Sequence, residues 1–219
     1  MSWSVWLPFF ITTLVVSLSP GPGVLAAVSA GLQHGFARGH AVAYGLALGV
    51  WTQIAVIGVG LGALLAASAW AFTALQWVGA AYLVWLGVQQ WRAPAVPLAV
   101  PKAGNIEGGA ADGAVPLGRG AILLRGWGIN ALNPKGTVFL LAMLPQFTDA
   151  TQPLLPQYLV IALTCGAIEL AVMVFYAGLA ARLQGTLGTA RQMRWLNRGM
   201  GSLFIAAGTA LAMFKRAPV

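Results

Sequence analysis

Long uncharged apolar stretches alternate with short charged segments along this chain. No charged side chain precedes Arg38, and the next uncharged stretch runs from Ala41 to Gln90. A helix needs about 20 apolar residues to cross a membrane, so the second stretch predicts a helical hairpin that turns near residues 67–70. The pattern predicts six spans, at about 5–30, 41–66, 71–91, 120–145, 154–181 and 196–214.

Residues 92–119 interrupt this pattern. Prolines and glycines punctuate the segment, and charged residues such as Lys102 and Glu107 lie among them. Such a composition is typical of a flexible polar linker. It divides the chain into a first three-helix half, 1–91, and a second three-helix half, 120–219.

The composition agrees with a membrane protein. Hydrophobic residues make up 59% of the chain and charged residues only 7%, whereas a soluble domain carries about a quarter charged residues. The net charge of +8 comes from basic residues spread between apolar stretches, which argues against nucleic-acid binding. One cysteine and two histidines make a soft-metal site improbable, and we expect no metal and no cofactor.

The basic residues also predict an orientation. The loops 31–40, 92–119 and 182–198 hold eight of the lysines and arginines, while the loops near 67–70 and 147–152 hold none. Because basic loops stay on the cytoplasmic side, we expect the first three loops to be cytoplasmic in a multi-pass protein of the bacterial inner membrane. Lys215 and Arg216 in the tail weigh against this assignment.

Each half carries the same interruption. The sequence LSPG at 18–21 in the first span is echoed by LNPK at 132–135 in the fourth. A proline removes a backbone hydrogen bond and clashes with the preceding turn. Because three spans reverse the direction of the chain, the sequence predicts an all-α membrane fold with an inverted repeat of three plus three and broken first and fourth helices.

Paired helix breaks in two halves indicate a binding site near the middle of the membrane. Broken helix ends offer amides to a carboxylate and carbonyls to an ammonium group, which are the two backbone charges of an amino acid. Proline kinks that serve only helix packing are the alternative. The predicted substrate-binding residues are Ser19, Pro20, Gly21, Pro22, Asn133, Pro134 and Lys135.

Two ionisable side chains lie deep in predicted spans. A charge at the bilayer centre costs about 2.5–3.5 kcal/mol on insertion scales, so such groups are functional by default. We expect Lys135 to bind substrate and Glu169 to carry a proton, with Gln53 and Tyr82 as secondary polar contacts. The alternatives are a snorkelling Lys135 and a structural role for Glu169.

Three motifs in order resemble the lysine exporter (LysE/RhtB) family. They are SPGP at 19–22, GAAYLVWLG at 79–87 and NPKG at 133–136, the last followed by PQF at 145–147. The resemblance covers nearly the whole chain and implies six hydrophobic segments that export amino acids or their derivatives, driven by the proton gradient. It carries over to the matching positions alone, which are Pro20, Gly21, Pro22, Asn133, Pro134 and Lys135.

The leading hypothesis is therefore a secondary active exporter working by proton antiport, and not an enzyme. Glu169 is the one acid within a predicted span, so pairing with Lys135 would favour neutral substrates such as threonine, homoserine or leucine. A non-transporting scaffold or regulatory subunit, and an intramembrane enzyme built on Ser19 and Lys135, are the alternatives. The expected partners are an amino acid, protons and the lipid bilayer, with a homodimer left open.

Overall fold

The computed structural model describes residues 1–67, 69–94, 117–149, 151–182 and 190–213. The predicted turn at Ser68 and most of the predicted linker, 95–116, lie outside these ranges, as do Lys215 and Arg216. The described part is helical and contains no strand, which confirms the all-α prediction there. Its helices are α1 (Trp3–Leu18), α2 (Pro22–Gly39), α3 (Ala41–Ala67), α4 (Ala69–Arg92), α5 (Arg119–Ala131), α6 (Pro134–Phe147), α7 (Leu154–Arg182) and α8 (Ala190–Met213).

Both predicted helix breaks are present. Helix α1 ends at Leu18 and α2 begins at Pro22, with a bend of 55° between them. Helix α5 ends at Ala131 and α6 begins at Pro134. Each new helix starts with its proline in the first turn, where the missing N–H has no intrahelical partner to lose. The prolines therefore restart the helix instead of kinking it.

The structure differs from the predicted loops in two places. Residues 31–39 continue α2, and the turn is made at Gly35, where φ is +64°. Glycine adopts this left-handed conformation without a steric penalty, so one residue redirects the chain. In the second place α8 begins at Ala190, because good helix formers fill the basic segment that was predicted as loop.

Two helices are long and apolar enough to cross a membrane, namely α7 and the part of α3 from Ala41 to Gly60. The bent pair of α1 and α2 provides a third crossing if it counts as one span. These helices are those found within the described residues alone. The count of six spans stays a prediction.

Glycines set the closest helix contacts around the two breaks. Helix α3 packs along α5 and helix α2 along α7. A Cβ on Gly45 would overlap the carbonyl oxygen of Leu123, and a Cβ on Gly31 would overlap that of Ala177. Small residues are what permit such backbone approach in membrane proteins. The contacts fix where α5 and α7 lie relative to the first half.

Substituting alanine for Gly45 should destabilise the fold, because the added methyl group meets backbone that cannot rotate away. We expect a loss of about 1–3 kcal/mol, seen as a lower midpoint of thermal unfolding in detergent. Gly60→Ala is the matched control, since Gly60 lies on the same helix and its Cβ would meet nothing within 4 Å. Equal midpoints for the two variants would contradict the packing of α3 on α5.

Candidate functional site

A cavity lies where the two helix breaks meet. Its volume is about 590 Å³, open mouth included, and its walls come from α1, α2, α3, α5, α6 and α7. Its apolar wall includes Phe139 and Val24, which belong to two separate clusters of buried apolar side chains. The predicted site residues that line it are Ser19, Gly21, Asn133, Lys135, Glu169 and Gln53.

Lys135 lies in the first turn of α6 and reaches across to the end of α1. Its Nζ donates to the carbonyl oxygens of Ser19, at 3.1 Å, and Val16, at 3.3 Å. These carbonyls belong to the last turn and C-cap of α1, the negative end of that helix dipole. The ammonium group therefore ties the second break to the first.

Asn133 shapes the start of α6. Its side-chain oxygen accepts from the backbone N–H of Lys135 at 3.0 Å, which is an N-cap bond. Its Nδ2 donates to Oδ1 of Asn130 at 3.3 Å. The residue holds the second break in shape while it lines the cavity.

Glu169 enters the cavity from the middle of α7. Its side chain is buried, with 9% exposed. Its oxygens accept from Ser17 Oγ at 2.6 Å and Asn130 Nδ2 at 3.1 Å. A carboxyl group and an ammonium group thus line one cavity, each held by hydrogen bonds to the broken helices. The hypothesis that Lys135 and Glu169 face one another requires such a shared cavity.

The start of α2 offers backbone amides to the cavity. Gly21 is the N-cap and has no capping side chain, and the first helical bond runs from Leu25 N to Gly21 O at 2.9 Å. The amides of Gly23 and Val24 therefore precede the bonded part of the helix. Both residues line the cavity. This helix end suits a carboxylate.

The prolines act on the backbone and do not line this cavity. Pro22 and Pro134 start helices, and Pro20 lies in the first break. Their role in substrate binding stays a prediction. Tyr82 is not brought to the cavity either, since its ring stacks on Trp85 of α4 at 5.5 Å between centroids.

Gln53 of α3 joins the site through the second break. Its Nε2 donates to the carbonyl oxygen of Asn133 at 3.0 Å and to Oγ1 of Thr137 at 2.9 Å. The side chain is 4% exposed. It therefore binds the N-cap carbonyl of α6, which also accepts the first helical bond from the backbone N–H of Thr137 at 3.0 Å.

Ser17 and Asn130 were missed by the sequence reasoning, although both hold Glu169. Asn130 precedes Asn133 by three residues, a spacing that places two side chains on one side of a turn. Ser17 is similarly the polar residue nearest the first break on its α1 side. Polar residues next to a break were the available signal.

The match to a known family extends from the last turn of α1 through α8. The family model described as LysE type translocator matches residues 14–214. The chain belongs to this LysE family. The resemblance seen in the three sequence motifs is confirmed, and every residue that lines the cavity except Thr13 lies within the matched region.

Relatives of this LysE family member include named efflux proteins. The homoserine/homoserine lactone efflux protein of Salmonella typhimurium is 39% identical over 217 residues, covering 99% of this chain and all of the relative. A Vibrio cholerae membrane protein is 40% identical over 211 residues, which cover 96% of this chain and 98% of the relative. The leucine efflux protein of an Enterobacter strain is 26% identical over 207 residues, 93% of each chain. No solved structure matches the chain.

Proposed function

We propose that this LysE family member exports a neutral amino acid or a close derivative from the bacterial cytoplasm by proton antiport. The observation that carries the proposal is the cavity in which Lys135 and Glu169 meet two broken helices. A zwitterion needs one cationic and one anionic partner, and the cavity supplies both. Amino-acid efflux by the named relatives agrees with this chemistry.

A neutral side chain suits the charges of the site best. Within the described ranges the cavity is lined by one ammonium and one carboxyl group, and the backbone charges of the substrate engage both. A lysine-like cargo would require a further acid for its side chain. Among neutral cargoes homoserine is our first candidate, because it is named for the full-length relative at 39% identity.

The substrate carboxylate binds between Lys135 and the amides of Gly23 and Val24 in this proposal. These groups combine a cation with the positive end of the α2 dipole. The substrate ammonium binds at Glu169, whose oxygens face the cavity beside α2. Both ends of the amino acid are thereby recognised without a metal or cofactor.

Antiport follows from competition at Glu169. A carboxyl group neutralised by a proton no longer attracts an ammonium ion, so the proton and the substrate exclude one another. An acidic exterior would protonate Glu169 and release the substrate outside. A less acidic cytoplasm would remove the proton and let the next substrate bind. Each cycle then exchanges one cargo for a proton.

Alternating access requires the cavity to open to both sides in turn. We propose six spans in two inverted halves, with the cavity between the broken first and fourth spans. Segments 31–40, 92–119 and 182–198 would then face the cytoplasm. Helices α3 and α5, which pack closely through glycines, would move as one body, while the two helix breaks serve as hinges.

The intramembrane enzyme hypothesis lacks the contact it needs. A serine–lysine pair requires the lysine to accept the hydroxyl proton. Lys135 Nζ instead donates to the carbonyl oxygen of Ser19, and Ser19 Oγ has no hydrogen-bond partner in the described part of the chain. Transport explains the same residues with the contacts they make.

A screen of cells tests the cargo. Overexpression in bacteria deleted for their own amino-acid exporters should raise tolerance to homoserine, and extracellular homoserine should accumulate. Lysine and arginine tolerance should not change, because the cavity offers no second acid to such side chains. Raised tolerance to the basic amino acids alone would contradict the neutral-cargo proposal.

A further inference from the structure

Three polar atoms in the cavity wall have no hydrogen-bond partner among the described residues. One is Oγ1 of Thr13 in α1, and the two beside the helix breaks are Oε1 of Gln53 and Oγ of Ser19. Both side chains are deeply buried, with 4% and 2% exposed, and both line the cavity. A buried polar atom without a partner is costly and calls for an explanation. Neither atom is needed for the backbone charges of the proposed substrate.

The orientation of the Gln53 amide is fixed by its neighbours. Its Nε2 donates to the carbonyl oxygen of Asn133, which can only accept, and to Oγ1 of Thr137. The Thr137 hydroxyl donates to the same Asn133 carbonyl at 3.1 Å, so it too accepts from Gln53. Turning the amide over would set Oε1 against the Asn133 carbonyl oxygen, which cannot donate. Oε1 is therefore held as a pure acceptor.

The approach to this acceptor is kept open by a glycine. A Cβ on Gly136 would lie 2.8 Å from Oε1 and 3.3 Å from Nε2 of Gln53. Gly136 lines the cavity as well. Any other residue at this position would press a side chain against the acceptor.

We propose that Gln53 Oε1, together with the Ser19 hydroxyl, forms a side-chain subsite that selects cargo bearing a hydrogen-bond donor, such as a hydroxyl group. The inference rests on the proposed export function and adds its selectivity. An amino acid with an aliphatic side chain of the same length leaves Oε1 unpaired in the occupied site. A site built around a hydrogen bond rejects such an analogue strongly.

The test compares homoserine with 2-aminopentanoate, in which a methyl group replaces the hydroxyl. Transport of each is measured with the full chain in proteoliposomes under a pH gradient. We expect kcat/KM to favour homoserine by about tenfold or more. Gln53→Met has similar length and no acceptor of comparable strength, and it should reduce this ratio to near one. Gln146→Met is the matched control, since Gln146 bonds to its own helix at Ala142 and should keep the ratio.

Gly136→Ala provides a second variant that retains the Gln53 side chain and places a methyl group against its acceptor oxygen. Its methyl group should lower homoserine transport more than transport of the analogue. Equal transport of the two cargoes by the unmodified chain would overturn the subsite, as would an unchanged preference in both variants. Failure of the unmodified chain to transport either cargo would instead overturn the proposed function.

Discussion

Replacing Lys135 with alanine should reduce homoserine transport by about 10- to 150-fold. The substitution removes the cation that we propose for the substrate carboxylate, and a hydrogen bond to a charged group is worth about 1.5–3 kcal/mol. It also removes the ammonium group that caps the Val16 and Ser19 carbonyls. Uptake of radiolabelled homoserine into proteoliposomes under a pH gradient measures the loss.

Two further variants distinguish the loss of the positive charge from a loss of folding in that experiment. Lys135→Arg keeps a cation and should retain part of the activity, with its larger planar head reducing the fit. Arg194→Ala removes an exposed cation from α8, away from the cavity, and should transport at the unmodified rate. Thermal unfolding of each variant shows whether a loss arises from the fold. Undiminished uptake by a well-folded Lys135→Ala protein would refute the assignment of the site.

Glu169→Gln should uncouple transport from the proton gradient. The amide cannot be ionised, so it cannot exchange a proton for cargo. Its oxygen still accepts a hydrogen bond, and Lys135 and the α2 amides still bind the carboxylate. We therefore expect accumulation driven by a pH gradient to disappear, while homoserine exchange between two loaded compartments continues at a reduced rate.

Asp149→Asn is the matched control for that result. It makes the same acid-to-amide change at an exposed residue between α6 and α7, and gradient-driven accumulation should persist. The measurement is counterflow beside net uptake, in the same vesicle preparation. Accumulation in Glu169→Gln equal to that of the unmodified protein would remove Glu169 from the coupling step.

Local chemistry explains which parts of this site could be predicted from the sequence. Both breaks could be placed to within a few residues, because the sequences SPGP and NPK combine proline with residues that favour a helix start. The lone prolines Pro8 and Pro145, by contrast, lie inside α1 and α6. Lys135 and Glu169 could also be recognised from the sequence, because charged residues are rare in apolar spans. The three motifs added the family, and the family model matches over nearly the whole chain.

The partners of those residues depend on packing and were not predictable. Ser17 and Glu169 are 152 residues apart in the chain, and Gln53 and Asn133 are 80 apart. No local pattern specifies such pairs. The turn at Gly35 was not predictable either, because the chain is helical on both sides of this one glycine with positive φ.

Proton movement measured alongside homoserine transport tests the central claim most directly. Proteoliposomes that contain a trapped pH indicator start with equal pH on both sides of the membrane. An outward or inward concentration gradient of homoserine is then imposed on them. The account predicts that protons move opposite to homoserine in the unmodified protein, and that Glu169→Gln abolishes this proton flux. Homoserine movement without any proton flux, or with protons moving in the same direction, would contradict it.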